Sequence, residues 1–228
     1  MNKKIIKIIV DVCMLMLFPV LMAFHLTGNS THEWLGTCLV VLVIWHNALN
    51  WKWYRSILKG KYTLARSFHT TINLLLAAAL IGIIISGVLL STEVFGFLHL
   101  SAAGAGRRLH MLSTSWAFVL MAVHMGFHFA LAGKRCRDNL KTAALVIGGA
   151  VFSAFGLYAS ISHQLWQKMF LAIRYANFDF AQPAAFFYFD QGAIIIFFAC
   201  VGYCSHLMLK KGRKHEIQNI RKNGTFCQ

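Results

Sequence analysis

The sequence is poor in charge, and poorest in acidic residues. Only 13% of its 228 residues are charged, whereas a soluble domain carries about a quarter. Seven acidic residues stand against 22 lysines and arginines, and the basic ones lie in short blocks between long apolar runs. No basic stripe alternates with stacking aromatics, so we expect no nucleic-acid partner. The pattern predicts a protein embedded in membrane lipid.

Several motifs are also absent. The six cysteines form neither a zinc-ligand spacing nor a Cys-x-x-Cys-His haem-attachment motif, so any haem must be held without covalent bonds. No Gly-x-Gly-x-x-Gly unit joins a strand to a helix, and a nicotinamide nucleotide route would therefore need another subunit. The apolar run from Ile5 to Leu26 is too long for a signal-peptide core of about 7–15 residues, which predicts a retained anchor.

Six apolar segments are long enough to cross a bilayer, which takes roughly 20 residues. They lie at about residues 8–27, 32–51, 68–91, 109–132, 141–160 and 191–210. We therefore predict an all-α membrane protein with six transmembrane helices. Residues 1–132 would form a four-helix bundle. Residues 133–228 would add two helices, a basic cytoplasmic tail and an outer segment at 161–190, which is either an interfacial helix or a plain connector.

The basic residues predict the orientation of these spans. Of the 22 lysines and arginines, 18 lie on one side of the predicted membrane. The four on the other side are Arg107, Arg108, Lys168 and Arg174. Cytoplasmic loops carry the excess of positive charge. Both termini are therefore expected in the cytoplasm, and the expected location is the cytoplasmic (inner) membrane.

Four of the 11 histidines occupy matched positions in two spans. His32 and His46 are 14 residues apart, and so are His110 and His124. At about 100° and 1.5 Å per residue, two residues 14 positions apart lie within about 40° of one helix face and about 21 Å apart along the axis. Because both spans run from outside to inside, the four side chains form two pairs at two depths.

Two histidines facing each other at one depth predict the axial ligands of a planar macrocycle. An ionisable side chain inside the membrane indicates function, and neutral imidazole suits iron. The pairs predict two stacked b-type haems, one held by His32 and His110 and the other by His46 and His124. His128 shares a helix face with His110 and is the alternative to His124.

Neighbouring residues fit a haem near the outer face. Gly36 follows His32 by one turn, where a flat ring can approach the backbone. Arg107 and Arg108 precede His110 on the outer side, where guanidinium groups can bind haem carboxylates. The alternatives are ordinary small-residue helix packing and arginines that merely extend to the interface.

The roles of the remaining histidines stay open. His69 and His206 lie near the cytoplasmic ends of spans three and six, and His25 and His99 lie near the outer face. Any of them could protonate a quinone, bind a haem carboxylate or serve only structure. We expect His163 to be solvated.

A longer motif points to a family. It consists of the run His32-Glu33-Trp34-Leu35-Gly36, then His46 and Asn50-Trp51, and later Ser86-Gly87, Arg108, His110 and His124. Over residues 8–132 the chain thus resembles the flavinylation-associated cytochromes, which are small di-haem membrane cytochromes b. The resemblance implies four histidine haem ligands and a path for electrons from quinol to a flavin-bearing protein outside the membrane. Since the chain has no visible flavin attachment site, that partner would be a separate chain.

Three other interpretations remain. A ferric- or flavin-reductase-like transmembrane haem module stacks two haems in the same way. A haem-free transporter would bind a metal or relay protons through its histidines, with ligands converging at one depth. A structural assembly subunit would have no chemistry of its own. Two haems alone make a relay, and the chain would be an enzyme only if it also oxidises quinol.

Overall fold

The structure is a computed structural model that describes residues 2–100, 103–132, 139–174 and 179–224. The described residues form helices and no strand. The basic loop with Lys134, Arg135 and Arg137 and residues 175–178 of the outer segment lie outside the described residues. The prediction of an all-α protein is confirmed.

Eight α-helices follow one another along the described chain. They are α1 Lys3–Met22, α2 Phe24–Leu49, α3 Trp51–Ile57, α4 Leu64–Leu90, α5 Ala103–Ala132, α6 Asn139–Ser162, α7 Leu165–Met169 and α8 Ala184–Gly224. A short 3-10 turn, Gly96–Leu98, lies in the connection between α4 and α5. A helix is present at each of the six predicted spans, although its bounds differ from the prediction.

Four helices are long and apolar enough to cross a membrane: α1, α4, α5 and α8. The pair α2 and α3, bent by 60° at Asn50, makes a fifth if it is one span. In α6 the apolar stretch within the described side chains is Gly148–Ser162, which is shorter than a span. The multi-pass membrane class is therefore confirmed, and the count of six stays a prediction.

The first two helices meet at a break that the sequence pattern did not predict. We expected span one to reach residue 27, but α1 ends at Met22 and α2 begins at Phe24. Ala23 at the junction is fully buried. Gly28 then adopts a φ of 72°, a conformation that glycine tolerates best, and bends the first turn of α2. The straight part of α2 begins just before His32.

The core lies where α5 packs against α4 and α8. Phe118 and Phe127 of α5 and Ile194 of α8 are almost completely buried there. A Cβ on Gly126 would collide with the Ala199 carbonyl, so the backbones of α5 and α8 are in direct contact. Helix α2 packs mainly on α1 and stays apart from α5 over most of its length. The two histidine-bearing helices are therefore linked by side chains rather than by backbone packing.

The outer segment contains one short helix. Helical spacing from Leu165 to Ile173 left open an interfacial helix or a plain connector, and in the structure α7 covers only Leu165–Met169. Leu165 and Met169 are buried, and the Trp116 indole N–H donates a 2.9 Å hydrogen bond to the Met169 carbonyl. This contact ties the segment to the outer half of α5.

Candidate functional site

The outer histidine pair is brought together by α2 and α5. The ring centroids of His32 and His110 are 6.1 Å apart, and their planes are inclined by 69°. Both residues are partly buried. The sequence prediction that these two side chains meet at one depth is therefore reproduced by the fold.

A buried serine orients the His110 ring. Ser86 of α4 lies with its Oγ 3.0 Å from Nδ1 of His110, and the same hydroxyl donates to the Gly82 carbonyl at 2.7 Å. A hydroxyl has a single proton to donate, so its remaining role towards His110 is that of acceptor. Nδ1 of His110 then carries the ring proton. Its Nε2 keeps the lone pair that a metal needs.

His32 is held mainly by apolar contact. Its Nδ1 is buried and has no hydrogen-bond partner of good geometry among the described residues. Phe24 meets the ring edge-on, with the centroids 5.2 Å apart. The Leu21 carbonyl also faces this ring, because the helix break at Ala23 leaves carbonyls of the last turn of α1 without helical partners.

The inner histidines have polar partners on neighbouring helices. Nδ1 of His46 lies 2.7 Å from Oδ1 of Asp11 in α1. Nδ1 of His124 lies 2.7 Å from Oδ1 of Asn73 in α4. As at the outer pair, an acceptor on Nδ1 places the ring proton there and leaves a lone pair on Nε2. In the structure the Nε2 of His46 lies 3.4 Å from the Asn50 amide nitrogen, and the Nε2 of His124 faces His128.

His128 sits beside His124 one helical turn further along α5. The two Nε2 atoms are 3.1 Å apart. His46 and Asp11 lie close enough to both histidines to act on them electrostatically. The structure therefore gathers the predicted ligand, its predicted alternative and the partner His46 in one inner cluster. The Asn73 side chain is hydrogen-bonded to His124, which fixes the orientation of that ring and favours His124 over His128 as the ligand.

Sequence reasoning missed Asp11 and Asn73, although each had a signal. Asp11 is the only acidic residue in the apolar run of α1, and Asn73 is a lone amide in that of α4. Isolated polar side chains in such runs are costly and mark functional positions. The inner cluster extends further to Lys7, whose Nζ donates a 2.7 Å hydrogen bond to Oδ1 of Asn50.

The predicted small and basic residues lie near the outer pair. A Cβ on Gly36 would meet no atom within 4 Å, so the helix face one turn after His32 borders open space. Gly82, in contrast, lies against the Ser113 side chain and is needed for close packing of α4 and α5. Arg107 and Arg108 are exposed in the first turns of α5.

Glu33, the residue next to His32, connects α2 to the end of α4. Its carboxylate accepts hydrogen bonds from the Ser91 hydroxyl at 2.6 Å and from the backbone N–H groups of Thr92, Glu93 and Val94 at 2.9, 3.0 and 3.1 Å. Oxygen atoms of one carboxylate thus cap the whole turn after α4. The contact fixes the height of α2, and with it His32, relative to α4 and α5.

We expect Glu33→Gln to lower the free energy of unfolding by about 2 kcal/mol, because hydrogen bonds to a charged group contribute about 1.5–3 kcal/mol. An amide also presents N–H groups where the turn needs an acceptor. The measurement is the unfolding transition in detergent. Glu93→Gln is the matched control, since the Glu93 carboxylate bonds only the exposed Ser30 hydroxyl among the contacts described here. Equal losses in both variants would contradict the role given to Glu33.

A second histidine pair joins His69, near the N-terminal end of α4, to His206 of α8. Nε2 of His69 lies 2.9 Å from Nδ1 of His206. The His69 ring stacks on Phe127, with centroids 4.1 Å apart and planes inclined by 10°. His206 is buried. The sequence placed the two residues at the same side of the membrane but did not predict their contact.

The expectation that His163 is solvated is wrong. Its Nε2 lies 2.9 Å from Oδ2 of Asp190, and its side chain is 21% exposed. His163, His25 and Lys168 line a small outer cavity of about 30 Å³, roughly the size of one water molecule. Burial lowers the pKa of Lys168. The error arose because the fold of the outer segment, which covers His163, could not be read from local sequence.

The described residues contain no group of three or more His, Cys, Asp or Glu side chains arranged to hold a bare metal ion. No protein-family model, curated protein or solved structure shows a significant match to the chain.

Proposed function

We propose that the chain is a membrane electron-transfer cytochrome b that carries electrons through the bilayer by two non-covalent bis-histidine haems. His32 and His110 would hold the outer haem, and His46 and His124 the inner one. The observation that carries the proposal is the outer pair, in which His32 of α2 and His110 of α5 have ring centroids 6.1 Å apart.

The separation of the outer rings supports two ligands on one iron. An imidazole nitrogen binds a transition metal at about 2 Å, and its ring centre lies about 1 Å further back, so two imidazoles that hold one metal would have ring centres up to about 6 Å apart. The observed 6.1 Å is compatible with that value.

The partners of the ring nitrogens also support the proposal. Histidine ligands almost always donate their second N–H to a carboxylate, a carbonyl or another acceptor, which fixes the tautomer and the ring orientation. Ser86, Asp11 and Asn73 supply such acceptors to three of the four proposed ligands. These acceptors also satisfy buried ring N–H groups, which would be costly to leave without a hydrogen bond.

The residues of this chain would hold, orient and insulate the cofactors. Haem iron supplies a reversible one-electron couple when bound. The proposed ligands keep it at two levels about 21 Å apart by helix rise, and Phe118 with its apolar neighbours in the core keeps water away from the path. Arg107 and Arg108 would bind the carboxylates of the outer haem. Lys52 and Arg55 would be the candidates for the carboxylates of the inner one.

The resemblance to flavinylation-associated cytochromes supports the choice of donor and acceptor. Electrons would come from quinol and pass to a separate flavoprotein outside the cytoplasmic membrane. The distribution of basic residues supports cytoplasmic termini. A reductase-like haem module shares the same histidine geometry and differs in its partner.

The proposal is tested by a reduced-minus-oxidised spectrum with pyridine haemochrome quantification on the purified protein. We expect two b-type haems per chain. A protein that folds and stays free of haem after expression with ample haem supply would overturn the proposal.

The inner cluster favours one competing function, a haem-free proton or metal transporter. Asp11, His46, His124 and His128 lie close together in the membrane interior, as in intramembrane proton relays. A transporter of this kind would move protons across liposomes without haem. Proton flux in a haem-free preparation, abolished by Asp11→Asn, would favour it over the cytochrome.

A further inference from the structure

The cytoplasmic ends of α3, α4, α5 and α8, by the orientation proposed above, surround a recess of about 280 Å³. Its apolar lining comes from Trp53, Ile57 and Leu131, and its polar lining includes His69 and His206. Ligand pockets typically measure about 300–1,000 Å³ and combine apolar walls with a few polar groups. This recess lies just below that range and has room for one substituted ring whose tail would stay in the lipid.

We propose that this recess is the binding site of a quinol ring and that the His69–His206 pair binds its hydroxyl oxygen. The inference rests on the proposed function, because it places the electron donor beside the inner haem. Each histidine has one ring nitrogen that the 2.9 Å bond between them does not use. Such a nitrogen can accept from a hydroxyl or donate to a carbonyl, which are the two oxidation states of the ligand.

The recess is coupled to the inner cluster. The His69 ring stacks on Phe127 of α5, with centroids 4.1 Å apart. Phe127 directly precedes His128 and follows His124 by three residues. A ring held by His69 would therefore lie within one helical turn of α5 from the proposed ligands of the inner haem.

A phospholipid headgroup is the less suitable occupant. Arg66 is a cation in the lining, but its guanidinium already donates to the carbonyls of Ser56, Lys59 and Lys61 and lies over the Tyr62 ring. It serves as a cap for the loop between α3 and α4. The histidine pair offers single hydrogen bonds suited to a neutral hydroxyl rather than a charge for a phosphate.

The reaction balances with the haems of the proposed function as oxidant. Oxidation of one hydroquinone breaks two O–H bonds and releases two electrons and two protons. The haem that His46 and His124 would hold would supply the one-electron oxidant and would accept the two electrons one at a time. One proton goes to the unused nitrogen of the histidine pair and the second to cytoplasmic water, because two adjacent imidazolium ions would repel each other.

The test uses the full-length protein in nanodiscs of neutral lipid, with a short-tailed ubiquinone analogue as the probe. Binding is measured by quenching of tryptophan fluorescence, and the site by a photoreactive azidoquinone followed by peptide mapping. Ala65→Leu fills the recess, which Ala65 lines. His206→Asn keeps a polar atom near the position of Nδ1 and removes Nε2. We expect both variants to raise the Kd of the probe at least tenfold, and wild-type label to map to the segments around Trp53 and His69.

Ala78→Leu is the control, since it adds the same atoms to an exposed position of α4. Its Kd should equal that of the wild type. Unchanged binding in Ala65→Leu, or displacement of the probe by an anionic phospholipid, would overturn the assignment. Haem content is measured on the same samples. If the protein holds two haems but Ala65→Leu and His206→Asn leave probe binding unchanged, only this site is refuted. If the two variants weaken probe binding but the protein holds no haem, the cytochrome is refuted and the site is retained.

Discussion

Replacing His110 with alanine is expected to reduce the haem content of the purified protein from two to one per chain. The substitution removes one of the two histidines proposed to hold the outer haem and leaves Ser86 without its ring partner. The inner level is about 21 Å away by helix rise and should keep its haem. Pyridine haemochrome quantification measures the loss, and His32→Ala should give the same result.

His99→Ala is the matched control for this experiment. His99 is an exposed histidine in the connection between α4 and α5, beyond the outer pair. Its replacement should leave two haems. A His110→Ala protein that retains both haems, with a spectrum like that of the wild type, would refute the assignment of the outer ligands.

Replacing Gly126 with leucine is expected to prevent stable packing of α5 on α8. A Cβ at this position would already meet the backbone carbonyl of Ala199, which cannot move like a side chain. Overpacking of a close-packed site costs typically 1–3 kcal/mol and occasionally more, and a whole leucine against backbone should lie at or above about 3 kcal/mol. We expect aggregation or a large fall in the thermal unfolding midpoint in detergent.

The control is Gly192→Leu in α8. A Cβ at Gly192 would meet no atom within 4 Å, so the same substitution should be tolerated. Gly202→Leu should resemble Gly126→Leu, because its Cβ would meet the backbone of Val123 across the same interface. Equal stability of the Gly126 and Gly192 variants would show that the two helices do not approach as described.

Helical periodicity predicted the outer histidine pair because both histidines lie on regular stretches of helix. His32 and His110 needed only a rise and an angle per residue to be placed at one depth. The bounds of the helices were predicted less well. The break at Ala23 and the bend at Gly28 lie inside one apolar run, where hydropathy carries no signal of a change in direction.

The partners of the histidines could not be predicted in the same way. Asp11, Asn73 and Ser86 lie on helices other than those of their histidines, so their contacts depend on how the helices rotate against each other. The same is true of His69 and His206, which are 137 residues apart. The sequence carries a signal for isolated polar residues in apolar runs, such as Asp11 and Asn73, but none for the pairs they form.

The acceptors on the ring nitrogens differ between the two levels, and this difference gives the proposed conduit a direction. At the inner level a carboxylate and an amide oxygen face the histidines, whereas the outer level has one hydroxyl and, beside His32, the Leu21 carbonyl without a hydrogen bond of good geometry. Stronger acceptors make imidazole a more basic ligand, which stabilises the oxidised iron. The inner haem would then have the lower reduction potential, and an electron that enters from the cytoplasmic side would move downhill as it crosses the membrane.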